Sequence, residues 1–308
     1  MLAHSFEELR AVVKVLNERV WNNRLSMPTI DRWLENFQGG DRERHLAINL
    51  LAQFVFFGQC EIRELLRSLY RDLYRHPILE GIREEHGGVF DASALRARLD
   101  EELVATRFLG VGNPSESGTH LLYYFRQENK LSKEQFLNVH EVFKRDAGSG
   151  VRTLRNENVR HYVFIDDICG SGTQAREYSR EVVEEIKSFN ANAKVYYYAL
   201  FGLKAGLDDV RGSTLFDRVD ALSVLDSSFQ CLGEGSRYFL PAEQADRVET
   251  FDTMSRYGER LFPGHSLGYK GSQLLIGFFY NVPDNTLPII WADSDNWAPI
   301  FRRYTKLY

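Results

Sequence analysis

The stretch YVFIDDICGSGTQ, residues 162–174, decides the fold. Its first four residues are apolar throughout, as in a strand covered on both faces. Two carboxylates, Asp166 and Asp167, follow at the carboxyl end of that strand. Gly170, Ser171, Gly172 and Thr173 then make a turn, and a helix is predicted over 173–189. In that helix Ala175, Tyr178, Val182, Ile186 and Phe189 fall on one face.

Working outward, short apolar runs at 107–111, 161–166, 194–201, 221–225 and 274–280 read as strands. Helical segments near 119–129, 132–146 and 173–189 separate them, with Ser132 and Gln135 spaced as a capping box. Strands alternating with helices predict βαβ units, hence an α/β fold with a mainly parallel sheet and flanking helices. Residues 1–106 read differently. Ser5 and Glu8 form a capping box, Asp41 and Asp91 are placed to start helices, and apolar residues recur at helical spacing. The expected organisation is an all-helical N-terminal domain over 1–106. An α/β domain with an aromatic-rich C-terminal extension follows over 107–308.

A turn of glycines and hydroxyls between a strand and a helix aims backbone N–H groups and the positive end of the helix dipole at one point. That is an oxyanion site, most simply for a phosphate monoester. The adjoining carboxylates are acceptors, suited to hydroxyls or to a phosphate-bound Mg²⁺. Four apolar residues before two acids also describe the metal-binding strand of P-loop proteins. That reading needs an upstream G-x-x-x-x-G-K-[ST] loop, which this chain lacks. A plain strand-to-helix turn, with Asp167 solvated and Thr173 as N-cap, is the structural alternative.

Composition narrows the classes. With 38 basic and 43 acidic side chains the net charge is −5, which gives no bulk attraction to nucleic acid or anionic membrane. Cys60, Cys169 and Cys231 are far apart and odd in number, which argues against a disulfide framework or a cysteine-rich zinc site. No apolar run is long enough to span a bilayer, and no secretory leader is visible. The expectation is a cytoplasmic protein with no membrane partner.

The 162–174 string resembles the PRPP-binding signature of type I phosphoribosyltransferases over about thirteen residues. The resemblance implies that Asp166 and Asp167 are the catalytic pair, holding the ribose 2- and 3-hydroxyls and meeting Mg²⁺ through the ligand. It implies that Cys169, Gly170, Ser171, Gly172, Thr173 and Gln174 wrap the 5-phosphate. A looser match, VGNPSESGT at 111–119, follows the first strand of the sheet, where the family contacts pyrophosphate. Gly112, Ser115, Ser117 and Gly118 are its candidate donors. The basic stretch 144–152, with Arg155, stands in the place of the family's mobile loop, and it is short.

Residues 265–297 hold GYKGSQ at 268–273 and NVPDNTLP at 281–288, then Trp291 and Trp297. Together with the helical N-terminal region they are similar to phosphoribosyltransferase-like proteins of bacterial conflict systems. Some of those are encoded beside retron reverse transcriptases as anti-phage effectors. Tyr269, Tyr280 and Trp291 are candidates for base stacking there, and plain core is the alternative. The resemblance implies PRPP or a phosphoribosyl nucleotide as ligand and chemistry at ribose C1. It also implies a defence-system partner, such as a reverse transcriptase–RNA or DNA complex. A catalytically inactive PRPP or nucleotide sensor, or a structural subunit of such a complex, is the alternative. Arg63, Arg67, Arg71 and Arg75 form a stripe that reads as a solvated face or as a docking site for nucleic acid or an acidic partner. His161 and His265 are candidates for acid–base work only by residue type.

Overall fold

The computed structural model describes residues 2–85, 91–112, 117–145, 148 and 150–303. Through the first half of the chain the elements are α1 (Phe6–Arg19), α2 (Met27–Leu34), α3 (Asp41–Leu51), β1 (Val55–Phe57), α4 (Gln59–Ser68), α5 (His76–Glu85), α6 (Ala92–Val104), β2 (Thr106–Gly110), α7 (Ser117–Glu128), α8 (Val139–Val142), β3 (Phe143–Arg145) and β4 (Arg152–Leu154). The second half carries β5 (His161–Cys169), α9 (Thr173–Tyr178), α10 (Glu184–Phe189), β6 (Lys194–Leu203), α11 (Lys204–Ser213), β7 (Arg218–Leu225), α12 (Gln244–Leu261), β8 (Ile276–Phe278) and α13 (Pro288–Trp291). Leu69–Arg75 joins α4 to α5, and Ser179–Val183 joins α9 to α10, each as a π-helical stretch.

The chain forms two compact units, one of residues 1–62 with 225–308 and the other of residues 63–224. This differs from a linear cut after residue 106, and the cores explain why. In the first unit Trp21, Trp33, Phe37 and Phe54 share one apolar cluster with Ile289, Trp297 and Phe301. The Trp33 indole N–H donates to the Ile289 carbonyl at 2.8 Å, and Phe37 meets Trp297 edge to face. β1 pairs in parallel with β8. The N-terminal helices and the C-terminal stretch therefore complete each other's core.

The second unit is built on a four-stranded sheet of order β2-β5-β6-β7, in which β2, β5 and β6 run parallel. α9 and α10 cover one face, where Ala175, Val182, Val183 and Ile186 meet Phe164, Val195 and Tyr197. On the other face Tyr74, from the rod that begins with α4, packs edge to face on Phe108. The Tyr74 hydroxyl lies 2.7 Å from the Thr106 hydroxyl, so its burial leaves no orphan polar group. The helices after residue 62 thus belong with the sheet.

The parallel sheet, its flanking helices and the helical N-terminal region agree with the sequence reading, and both capping boxes are present. Three expectations are corrected. The helix expected over 132–146 is a 3₁₀ turn, the single turn α8 and then the β3–β4 antiparallel hairpin, because Phe143 and Leu154 bury their side chains across that ladder. The strand expected over 274–280 shortens to Ile276–Phe278 and pairs with β1, outside the four-stranded sheet. At α3, Asp41 is the first helical residue and Gly40, at φ +86°, takes the cap position. Among the described residues no helix is long and apolar enough to cross a membrane.

Candidate functional site at the carboxyl end of β5

β5 runs two residues past the acid pair and ends at Cys169. The two acids are adjacent in the strand, and their carboxyls are close enough to interact directly. Asp166 lies on the face of Phe164 and Tyr197. One of its oxygens accepts from the Tyr197 hydroxyl at 2.8 Å, and the other accepts from the Asp167 backbone N–H at 2.9 Å. Burial, and then the neighbouring Asp167 charge, hold the Asp166 carboxyl well above the usual carboxylate range. The Asp167 Oδ1 accepts from the Ile168 N–H at 2.8 Å. Both acids are buried.

Tyr197 is buried too, and burial together with Asp166 pushes its phenol well up. The Cys169 thiol is the third member of this group. Burial, with Asp166 second, pushes it up to about 12, so it stays a thiol at neutral pH. The Gly172 backbone N–H pulls the thiol the other way, as a lesser influence than burial.

The turn is shaped by two glycines. Gly172 has φ +73°, the left-handed region that costs an L side chain strain. A Cβ there would also stand 2.6 Å from Val210 Cγ2 and 2.9 Å from the Gly206 carbonyl oxygen. Gly206, in α11, is the second. A Cβ on it would fall 1.9 Å from the Gly170 carbonyl oxygen. α11 therefore presses directly on the turn, and only a residue without a side chain permits the approach.

Within the turn the Ser171 and Thr173 hydroxyls are 2.9 Å apart, a pair of polar groups at the amino end of α9. Arg176 brings a cation to the same place. Its Nη2 donates to Thr173 Oγ1 at 3.4 Å, and the guanidinium is ion-paired with Asp209. Hydroxyls, a helix N-terminus and a guanidinium together favour an oxyanion. Sequence reasoning missed both Gly206 and Arg176. Arg176 stands three residues after Thr173, one turn on, and that spacing was the available signal. Gly206 left none, because its contact is made across 36 positions.

Gly112 follows β2 and lies beside β5, and its carbonyl accepts from the Tyr178 hydroxyl. Gly110, Gly112, Leu137, Tyr178 and Val182 are among the walls of a cavity of about 290 Å³ at this edge. Ser115 lies outside the described residues. Ser117 and Gly118 open α7, and the Ser117 side chain is likewise outside them. Tyr269, Tyr280 and Trp291 belong to the other compact unit. There Tyr269 stands against His265, Tyr280 stacks on Phe278, and the buried Trp291 donates its indole N–H to the Thr286 carbonyl at 2.8 Å.

His161 is at the opposite end of β5, where it faces Glu102 at 2.9 Å and Tyr196 at 3.3 Å. Arg63 and Arg67 both pair with Glu128, and Arg71 with Asp72, so that part of the arginine stripe is spent on intramolecular ion pairs. Of the short basic segment before β5, the described residues Lys144, Arg145 and Arg152 lie in the β3–β4 ladder, with Arg152 over the Phe143 ring and paired with Glu185. Among the described residues no three Asp, Glu, His or Cys side chains gather as a metal cage.

Among solved structures, the AQ2163 protein from Aquifex aeolicus matches at 13% identity over 66% of this chain and 86% of its own, with a TM-score of 0.31. The xanthine-guanine-hypoxanthine phosphoribosyltransferase of Helicobacter pylori matches at 10% identity over 56% and 84%, with a TM-score of 0.28. The hypoxanthine phosphoribosyltransferase of Trypanosoma cruzi matches at 11% identity over 63% and 93%, with a TM-score of 0.25. No curated protein matches the sequence. The model of one family, PRTase-CE, matches residues 30–303, nearly the whole chain. The chain belongs to the PRTase-CE family.

Proposed function

We propose that the turn 169–174 binds the 5-phosphate of PRPP or of a phosphoribosyl nucleotide, and that the chain does its chemistry at ribose C1. The observation that carries this reading is the turn pressed between β5 and Gly206, with two hydroxyls, a helix N-terminus and Arg176 converging on it. Membership of the PRTase-CE family supports it. Asp167 is the acid assigned to the ribose hydroxyls, and Gly112 and the residues after it to pyrophosphate. Mg²⁺, held mainly through ligand oxygens with Asp167 nearby, would neutralise the phosphate charge when bound. The chain's own residues orient the sugar and fix the phosphate, so that C1 is presented to a nucleophile in one geometry.

The biological setting we propose is that of an effector in a bacterial anti-phage system, which rests on the sequence resemblance. Calorimetry with PRPP, AMP and NAD, with and without Mg²⁺, tests the site. Saturable binding of a 5-phosphorylated ribose that is lost in the Ser171→Ala/Thr173→Ala variant is the expected result. Binding that survives that variant would contradict the assignment. Ligand binding without turnover in a purified preparation would favour the sensor reading over the transferase.

A further inference from the structure

Tyr197 is a residue whose chemistry the packing of the sheet does not require. It stands opposite Phe164 in the β5–β6 register, two residues before Asp166. Two strand residues span about 6.6 Å, and a tyrosine side chain is about that long, so its hydroxyl reaches along the sheet face to the Asp166 carboxyl. Its ring packs on Phe216 in a fully apolar setting, which phenylalanine would fill as well. A buried hydroxyl and a buried carboxyl each carry a desolvation cost unless bonded, and here they are bonded to each other at 2.8 Å. The second Asp166 oxygen is held by the Asp167 N–H. The Cys169 thiol, which opens the turn, meets the same phenol.

We infer that Tyr197 is a positioning residue for the ribose: through Asp166 it fixes the peptide of Asp167, so that the sugar hydroxyls are read by one acid, Asp167, with Asp166 serving as its brace. The inference rests on the site proposed above. It departs from the sequence expectation, in which both acids meet the sugar. The hydrogen bonds form one line: Tyr197 hydroxyl to Asp166, Asp167 N–H to Asp166, Ile168 N–H to Asp167. Removing the first leaves a buried Asp166 oxygen without that donor, and the carboxyl is then free to rotate and release the Asp167 peptide.

The test is displacement of PRPP, in the presence of Mg²⁺, by ribose 5-phosphate and by 2-deoxyribose 5-phosphate. Wild type should prefer the ribose by about tenfold, the scale of one charge-assisted hydrogen bond. Tyr197→Phe should fold, hold 2-deoxyribose 5-phosphate as wild type does, and lose most of the preference for ribose. Equal weakening of both sugars, or a preference kept in full, overturns the inference, because a merely structural phenol would give one of these. If Tyr197→Phe does not fold, Asp166→Asn takes its place, with the same loss of preference expected and a kept preference overturning the inference. A wild-type protein that binds neither sugar phosphate overturns the site reading itself, an outcome visible before any variant is made.

Discussion

The two ends of β5 each carry a cluster of titratable groups, half-buried at the amino end and buried at the carboxyl end, and they are built for different purposes. At the amino end His161 is held between Glu102 and Tyr196, and Glu102 also takes Arg160. Each charge there meets a side chain of opposite charge or a hydroxyl, and the cluster ties α6 to the sheet. At the carboxyl end, about 16 Å along the strand at 3.3 Å per residue, Asp166, Tyr197 and Cys169 lie beneath a turn made of glycines and hydroxyls. Their hydrogen bonds run to backbone and to one another, and what they hold is a main-chain shape. One cluster closes on itself. The other supports the turn with the Ser171–Thr173 hydroxyl pair, at the end of the strand where α/β sheets bind ligands. Histidine and a carboxylate side by side are thus a weaker sign of a site here than two acids above a glycine turn.

The largest effect should come from Gly206→Ala. The added methyl would meet the Gly170 carbonyl oxygen at 1.9 Å. The turn must move by about an ångström, which should cost about a hundredfold in PRPP affinity and about 1–3 kcal/mol of stability. Calorimetry and denaturant titration measure the two, and unchanged binding would separate the turn from the function. Asp167→Asn should come next, weakening PRPP by about tenfold or more with little change in melting temperature. An equal loss of stability would reassign Asp167 to structure and blur the contrast between the two ends.

Glu102→Ala should do the opposite. It strips His161 and Arg160 of their partner, so unfolding free energy should fall by about 1–3 kcal/mol, while PRPP affinity stays as in wild type. The smallest effect is a pH dependence. Burial, against the pull of Glu102, lowers the His161 pKa below its ordinary 6.5. The unfolded chain then binds the proton more readily, so the His161 contribution to stability is complete above pH 6.5 and is lost as pH falls through the folded value. Melting curves between pH 7.5 and 5 should therefore slope more steeply for wild type than for His161→Gln.

Most of this architecture is legible in local sequence because its signals are local. Four apolar residues before Asp166 announce a covered strand, and the spacing from Ala175 to Phe189 announces the helix behind it. What local sequence hides is pairing at a distance. The run 274–280 is apolar enough for a strand of the main sheet, yet its strand is only Ile276–Phe278, and that pairs with β1. The segment 132–146 carries a helical start signal, but Phe143 gains more by facing Leu154 across a hairpin. Gly206 reads as an ordinary helical glycine until the Gly170 carbonyl is placed against it. The aromatic residues 269, 280 and 291 pack with His265, Phe278 and Phe262, pairings that composition does not encode.

The central claim is that the turn after β5 holds the 5-phosphate of a ribose. A crystal structure of the protein with PRPP and Mg²⁺ tests it most directly. The account predicts phosphate oxygens within about 3 Å of the Ser171 and Thr173 hydroxyls, with Asp167 on the sugar and Asp166 still held by Tyr197. A phosphate bound elsewhere, with the Ser171–Thr173 pair intact and the turn without ligand, would contradict it.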